Sequence, residues 1–444
     1  MLLKRYTLYL LLLLSPLSFA ESYVYLTNNT METLTLDTVQ SGYGNIVHGD
    51  QWQQLATEVA PLATVRFLRF NRDQGIKWGK EYVFTTRVQS PNNTQAQTLA
   101  LTQKLKGTMT FSKMWLSAQL DPWHYDRDIH NIDLGEERTL AFRSEYARAA
   151  GDDIRYVIHD ALQPAQVPEY SNQLSVLNYN TWALLPGIEA KNTGNRLDTI
   201  VQFSKGYDVV VFEEVFDPYL TARFRDALKA EYPYQSDIPW KFGKLLTGGS
   251  FIASRWPMSE HDAVVYDACR KDGCLAGKGI NYAQITKGSN NFHIFGTHTH
   301  AYTEPEDIAV RFAQLAQFKS FVDGKNIPAH EAVIMAGDFN VDKVNFPAEH
   351  QDFLTLLNAT EPSALGEFEF SYAGLVNIYA DAQYSEYLDY VLYSNEHLVP
   401  FESTNTLLTP RSITSKHWGS WDLSDHYPVA GYFEFPISSE YVGE

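Results

Sequence analysis

Residues Ala332-Val333-Ile334-Met335-Ala336-Gly337-Asp338-Phe339-Asn340 decide how this chain is read. Consecutive apolar residues leave no wet face for a strand, so this stretch belongs in a sheet covered on both sides. It runs straight into a carboxylate and a carboxamide. The pattern recurs. Leu174-Ser175-Val176-Leu177 leads into Asn178-Tyr179-Asn180, and Val209-Val210-Val211-Phe212 into Glu213-Glu214. Phe292-His293-Ile294-Phe295-Gly296 leads into Thr297-His298. Glu386-Tyr387-Leu388-Asp389-Tyr390 and Ser424-Asp425-His426-Tyr427-Pro428-Val429 follow late in the chain. Helical patterns over Tyr219–Ala230 and Ile308–Val322 lie between the runs, which predicts a layered α/β domain over 174–444.

Working outward, the first half has a different rhythm. Tyr23-Val24-Tyr25-Leu26, Thr33-Leu34-Thr35-Leu36, Val65 to Phe70, Tyr82 to Thr85, Thr108-Met109-Thr110-Phe111 and Arg155 to Ile158 alternate with period two. Turn-forming Asn, Asp and Gly separate them, which predicts a β-rich, sandwich-like domain over 21–162. Gln163-Pro164-Ala165-Gln166-Val167-Pro168 lacks periodicity and reads as a linker over 163–173. Residues 1–20 read as a secretory signal: Lys4 and Arg5, an apolar Leu8 to Leu14, then Ser18-Phe19-Ala20. Cleavage near Ala20 would release an exported protein. In an oxidising compartment Cys269 and Cys274, the two cysteines of the chain, are expected to form a small disulfide loop.

The formal charge of the 444 residues is −18. Such an acidic balance disfavours a partner recognised through its phosphate backbone, and it suits divalent-metal ligands. Carboxylates and carboxamides at strand ends offer rigidly held oxygen donors for a hard cation such as Mg²⁺. Imidazoles beside them can move protons or steady a phosphoryl oxygen. Any one fragment is commonplace; six in a row, each closing a strand-like run, point to one reactive constellation.

With those motifs in this order, residues 174–435 resemble the endonuclease/exonuclease/phosphatase superfamily, and within it the bacterial sphingomyelinases C. Glu214-Val215-Phe216-Asp217, Gly296-Thr297-His298, Lys278-Gly279 and the closing Ser-Asp-His-Tyr-Pro-Val carry the closer likeness. The resemblance implies a deoxyribonuclease I-like, four-layered αββα sandwich that hydrolyses sphingomyelin to ceramide and phosphocholine with a divalent cation, Mg²⁺ foremost and Mn²⁺ or Co²⁺ as alternatives. It implies Glu214 and Asn180 as metal ligands, preferred to the neighbouring Glu213, which could also ligate, and to Asn178, with Asp425 as a second ligand or orienter. It implies His426 as general base, His298 at the transition state or leaving group, Asp338 and Asn340 as orienters of nucleophile and phosphoryl oxygen, and Asp389 as a partner of an active-site histidine. His300, two residues past His298, is a candidate pocket residue. Trp418 and Trp421 are candidates for contact with a sphingomyelin-bearing membrane. The N-terminal β domain is a candidate lipid or glycan binder. A secreted nuclease on the same scaffold and a membrane-binding adhesin or haemolysin are the competing readings. They are separated by choline release against plasmid nicking.

Overall fold

The computed structural model describes residues 21–90, 99–109, 112–119, 121–148, 151–185, 187, 191–366 and 368–436. The expected leader lies outside them. Contacts divide the chain after Ala161 into two compact units, Met1–Ala161 and Leu162–Glu444.

Among its described residues the first unit is all β. One sheet has six strands, ordered Trp52–Gln54, Thr64–Asn71, Glu21–Asn29, Gly151–Asp160, Arg138–Arg148 and His130–Gly135. The other has five, ordered Glu58–Val59, Leu34–Gly42, Glu81–Gln89, Leu99–Gly107 and Ser112–Ala118. Alternation sends Tyr82, Phe84 and Val88 from one sheet, and Val24, Leu26, Phe67 and Phe70 from the other, into a common core. That is the sandwich that period two implies. The expected strand at Thr108 instead begins at Ser112, and residues 110 and 111 lie outside the described set.

Among the described residues the second unit holds two large sheets, a two-stranded ribbon and four α-helices. The seven-stranded sheet runs Tyr234–Gln235, Phe251–Ser254, Val209–Val215, Gln173–Ala183, Val429–Glu434, Glu402–Leu407, Ser363–Leu365. The six-stranded sheet runs Met258–Val265, Gly279–Lys287, Asn290–His298, Ala332–Asp338, Asp389–Ser394, Ala359–Thr360. Helices α1 (Thr193–Phe203) and α2 (Pro218–Leu228) cover the first sheet, packing on Leu177, Tyr179, Val210 and Phe212. Helices α3 (Pro305–Gly324) and α4 (Pro347–Leu357) cover the second through Leu315, Phe318, Val322, Phe353 and Leu357. Between the sheets Val176, Val209, Val211 and Ile252 meet Ile280, Ile294 and Ile334. The order helix, sheet, sheet, helix is the four-layered sandwich. Gly296 allows the sheets their close approach: a Cβ there would stand 2.8 Å from Val211 Cγ1.

The proline-bearing 163–172 segment is not a loose tether on the second unit. The Lys287 ammonium, 2% exposed, donates to the carbonyls of Pro168 and Gln173 at 2.9 Å each and sits 3.0 Å from Asp208. Asn172 Nδ2 donates to Phe435 O at 2.8 Å. No helix among the described residues is long and apolar enough to cross a membrane.

Candidate active site

The inner strands of both sheets end on one edge, and their terminal polar residues converge there. Asn180 closes Gln173–Ala183, where a bulge between Asn180 and Ala183 shifts the pairing with Val209–Val215. Such a bulge bends the strand and re-aims its side chains. Beside it Glu214 (φ 57°) and Trp182 (φ 48°) take left-handed backbone conformations, as does Asn340 (φ 50°). Conformations of this kind cost roughly 1–3 kcal/mol each and persist only where the surrounding structure holds them. Three of them thus sit on the segments that carry the polar edge.

Asp338 is the hub. Asn180 Nδ2 donates to Asp338 Oδ2 at 3.0 Å, and the backbone N–H of Asn340 donates to Asp338 Oδ1 at 3.0 Å. His298 Nε2 lies 3.5 Å and His426 Nε2 3.9 Å from Asp338 Oδ2. His298 Nε2 is also 3.9 Å from Glu214 Oε1. On its far side His426 Nδ1 donates to Asp389 Oδ2 at 2.8 Å, which fixes the tautomer. Asn340 Nδ2 donates to Thr299 O at 3.3 Å. The Ser424 hydroxyl, donating to Asn180 O at 2.7 Å, places Asp425 beside the same edge. The cleft therefore brings together Asn180, Glu214, His298, Asp338, Asn340, Asp389, Asp425 and His426.

Their charge states follow from burial. Burial, with Asp425 and Asp338 nearby, pushes the Glu214 carboxyl up to about 7. Burial and Asp389 push Asp338 to about 6, and burial raises Asp425. Burial pulls His426 down, but Asp389 and Asp338 outweigh it and hold the imidazole well above its ordinary value. Burial, with the charges of Lys278 and His426, holds His298 well below its own. A pocket in which several carboxyls resist ionising is short of positive charge, and carboxylate and amide oxygens suit a hard divalent cation. The donor set fits such an ion. Asp338, Asp389 and His426 also bring ligand atoms within 4.8 Å of one another. A 2.8 Å hydrogen bond already joins the last two.

Three further members of the site are Lys278, Glu213 and Asn178. Lys278 Nζ donates to His298 Nε2 at 2.7 Å and to Thr299 O at 2.9 Å. This bond leaves the His298 proton on Nδ1, which has no partner among the described residues. Glu213 is wholly buried with both oxygens unpartnered among the described residues, and burial with Asp389 and Asp338 pushes it far up. Asn178 Nδ2 reaches Asp389 Oδ1 at 3.4 Å. The signal for Lys278 was its place just before the Gly279 strand, but a lysine at a strand start is ordinarily solvated.

Two expectations need correction. His300 does not face the cleft: it is 1% exposed, its Nε2 donates to Asp307 Oδ1 at 3.0 Å, and a Cβ on Gly273 would stand 2.8 Å from its Nδ1. The chain leaves the sheet after His298, so strand alternation no longer governs residue 300. Trp421 is 2% exposed and packs edge-on against Trp418 at 5.2 Å, so it is a core residue and no membrane contact. Trp418 is half-buried. Large exposed apolar side chains lie elsewhere, among them Trp240 (60%), Phe242 (92%) and Leu245 (78%), which share one loop. Cys269 and Cys274 are joined as a disulfide.

The model of the endonuclease/exonuclease/phosphatase family matches residues 177–426. A sphingomyelinase C of Leptospira interrogans is 31% identical over 291 residues, 58% of this chain and 51% of that protein. The chain thus spans about half the length of that relative. A sphingomyelinase C of Bacillus cereus is 32% identical over 298 residues, 59% of this chain and 89% of that one. Among solved structures, a doubly substituted beta toxin from Staphylococcus aureus with bound magnesium ions superposes with a TM-score of 0.54 at 28% identity. It covers 59% of this chain and the whole of that one.

Proposed function

Because the chain belongs to the endonuclease/exonuclease/phosphatase family, and within it to the sphingomyelinases C, we propose that it is a secreted, Mg²⁺-dependent phosphodiesterase that cleaves sphingomyelin into ceramide and phosphocholine. The observation that carries this reading is the convergence of Glu214, Asn180 and Asp338 with His298 and His426 on one edge. Glu214 and Asn180 would hold the cation, with Asp425 beside them. When bound, it supplies positive charge to a non-bridging phosphoryl oxygen.

This chain's own residues do the rest. With a cation's charge offsetting the carboxylates that hold a proton on it, His426, oriented by Asp389, would take a proton from water through Nε2. The water oxygen bonds to phosphorus as the bond to the ceramide oxygen breaks. Asp338 and Asn340 orient the incoming oxygen. Lys278 stands where a hydrogen bond would relieve the charge that builds on oxygen, and His298, whose Nε2 accepts from it, orients that ammonium. Choline-phosphate release from sphingomyelin vesicles, compared with plasmid nicking, tests the reading. Mg²⁺-dependent release abolished by chelator is the expected result; nicking without release would move the assignment to the nuclease class.

The surface that meets the bilayer is, on this reading, the Pro239–Leu246 loop. Its aromatic tips Trp240 and Phe242 flank Lys241, with Lys244 close behind, a composition that favours the headgroup region. The loop is anchored where it matters. Gly277 N donates to Leu246 O at 3.0 Å, one residue before Lys278. Val215 N donates to Gly249 O at 2.8 Å, one residue after Glu214.

A further inference from the structure

A second group of His and acidic side chains lies far from the cleft in sequence, within the N-terminal sandwich. His124, Asp126 and His130 each bring a ligand atom within 4.8 Å of the others. They sit on the crossover that leaves the five-stranded sheet at Ala118 and enters the six-stranded one at His130. His124 is still tied to the first sheet, its N–H donating to Leu116 O at 2.9 Å and its carbonyl accepting from Leu116 N at 3.1 Å. His130 is opposite Phe142 on the second. The two rings stack with centroids 3.6 Å apart, and both lean on the buried Phe142 ring.

Asp126 stands in front of the stack. Its Oδ1 is hydrogen-bonded to His130 Nε2 at 2.7 Å, through a proton that a bound metal ion would displace, and its Oδ2 is 3.8 Å from His124 Nδ1. The Asp128 N–H, donating to Oδ1 at 3.0 Å, holds the carboxylate in place. The other nitrogen of His124, Nε2, lies 2.6 Å from Asp121 Oδ2. A proton held there by Asp121 leaves Nδ1 bare as a ligand, the carboxylate–histidine–metal relay of many metal centres. Zinc bonds of about 2.0–2.1 Å put neighbouring ligands of a tetrahedral site about 3.4 Å apart. The 2.7 and 3.8 Å separations bracket that value. The histidine side chains are 17% and 19% exposed, so an ion can reach them from solvent.

We propose that His124 Nδ1, His130 Nε2 and the Asp126 carboxylate bind a divalent transition-metal ion of the zinc class, with Asp121 orienting His124. Two imidazoles and one carboxylate suit zinc better than magnesium. Because the ligands come from a segment spanning both sheets, the ion clips the sandwich at its crossover and stabilises the folded unit by mass action. The test is equilibrium dialysis of the full chain against Zn²⁺ in excess Mg²⁺, followed by metal counting and thermal unfolding. The parent chain should retain one more Zn²⁺ than His130→Ala, and Zn²⁺ should raise its unfolding midpoint but not the variant's. Asp121→Asn should weaken zinc retention by about 10–100-fold without abolishing it. Equal zinc counts in parent and His130→Ala overturn the proposal. Asp126→Asn, which keeps the ring stack and the residue's shape, decides the matter in the same way if His130→Ala does not fold.

Discussion

Two histidine–aspartate pairs in the second unit are nearly identical as chemistry and opposite in their surroundings. At the strand-end cleft His426 Nδ1 donates to Asp389 at 2.8 Å; at the foot of α3 His300 Nε2 donates to Asp307 at 3.0 Å. Both rings are buried. What differs is the far side of each ring. His426 presents Nε2 to Asp338, in a pocket with Glu214 and Asp425. His300 presents Nδ1 to Gly273, and its backbone N–H is taken up by Gln314. A paired imidazole becomes a catalyst only where its second nitrogen opens onto a site that needs a proton moved.

The largest way to break this contrast is to remove the cleft's chemistry. His426→Ala or Glu214→Gln should lower kcat for sphingomyelin cleavage by about 10²–10⁴-fold, with an unchanged far-ultraviolet dichroism spectrum. Parent-like turnover in either variant, measured as choline-phosphate release, would remove the proposed base or ligand. Lys278→Met comes next, at roughly 10²-fold, because it deletes one preorganised donor while the fold keeps its packing. If KM rises and kcat holds, Lys278 binds substrate uniformly and does not favour the transition state.

The contrast also explains what was legible in the sequence. Continuous apolar runs such as Val209 to Phe212 and Ala332 to Met335 announced doubly covered strands. The residues closing those runs, Asn180, Glu214, His298 and Asp338, are the ones at the cleft, since a strand's end fixes where its next side chain goes. Helices α1 and α4 were not anticipated; each has few buried positions, Arg196, Leu197, Ile200 and Val201 in one and Phe353 and Leu357 in the other. The position of His300 was misread because alternation was carried two residues past the strand. The place of Trp421 could not be read either, as burial of an indole depends on packing between segments remote in sequence. Nothing local marks the left-handed backbone at Glu214, a residue type that seldom adopts it.

The exposed loop sharpens the contrast by separating chemistry from access. Trp240→Ala with Phe242→Ala should weaken vesicle hydrolysis by about tenfold or more per ring, from roughly 1.5–3 kcal/mol of lost burial each. Cleavage of a water-soluble phosphodiester analogue should be spared. Trp418→Ala should differ little between the two substrates, as its ring packs on the buried Trp421. Equal losses on both substrates for the loop variant would assign the aromatic tips to the fold and leave membrane contact to another surface.

The smallest effect is expected at the structural pair. Burial works to raise the Asp307 carboxyl, but hydrogen bonds from His300 and Arg270 and the charges of Arg270 and Lys271 outweigh it and hold it at about 2, against an ordinary 3.8. A carboxyl depressed by folding stabilises the fold above its unfolded value, and that contribution is lost as pH falls through the folded one. The parent should therefore lead Asp307→Asn in thermal stability near neutral pH, and the gap should close between about 4 and about 2. The same variant loosens the disulfide loop, since Arg270 and Lys271 lie inside Cys269–Cys274 and both reach Asp307. That loop leads directly into Lys278, so a modest rise in KM is admissible, but the pH profile of kcat should stay that of the parent. If Asp307→Asn instead shifts that profile, His300 takes part in proton transfer, and the line between the two pairs is drawn in the wrong place.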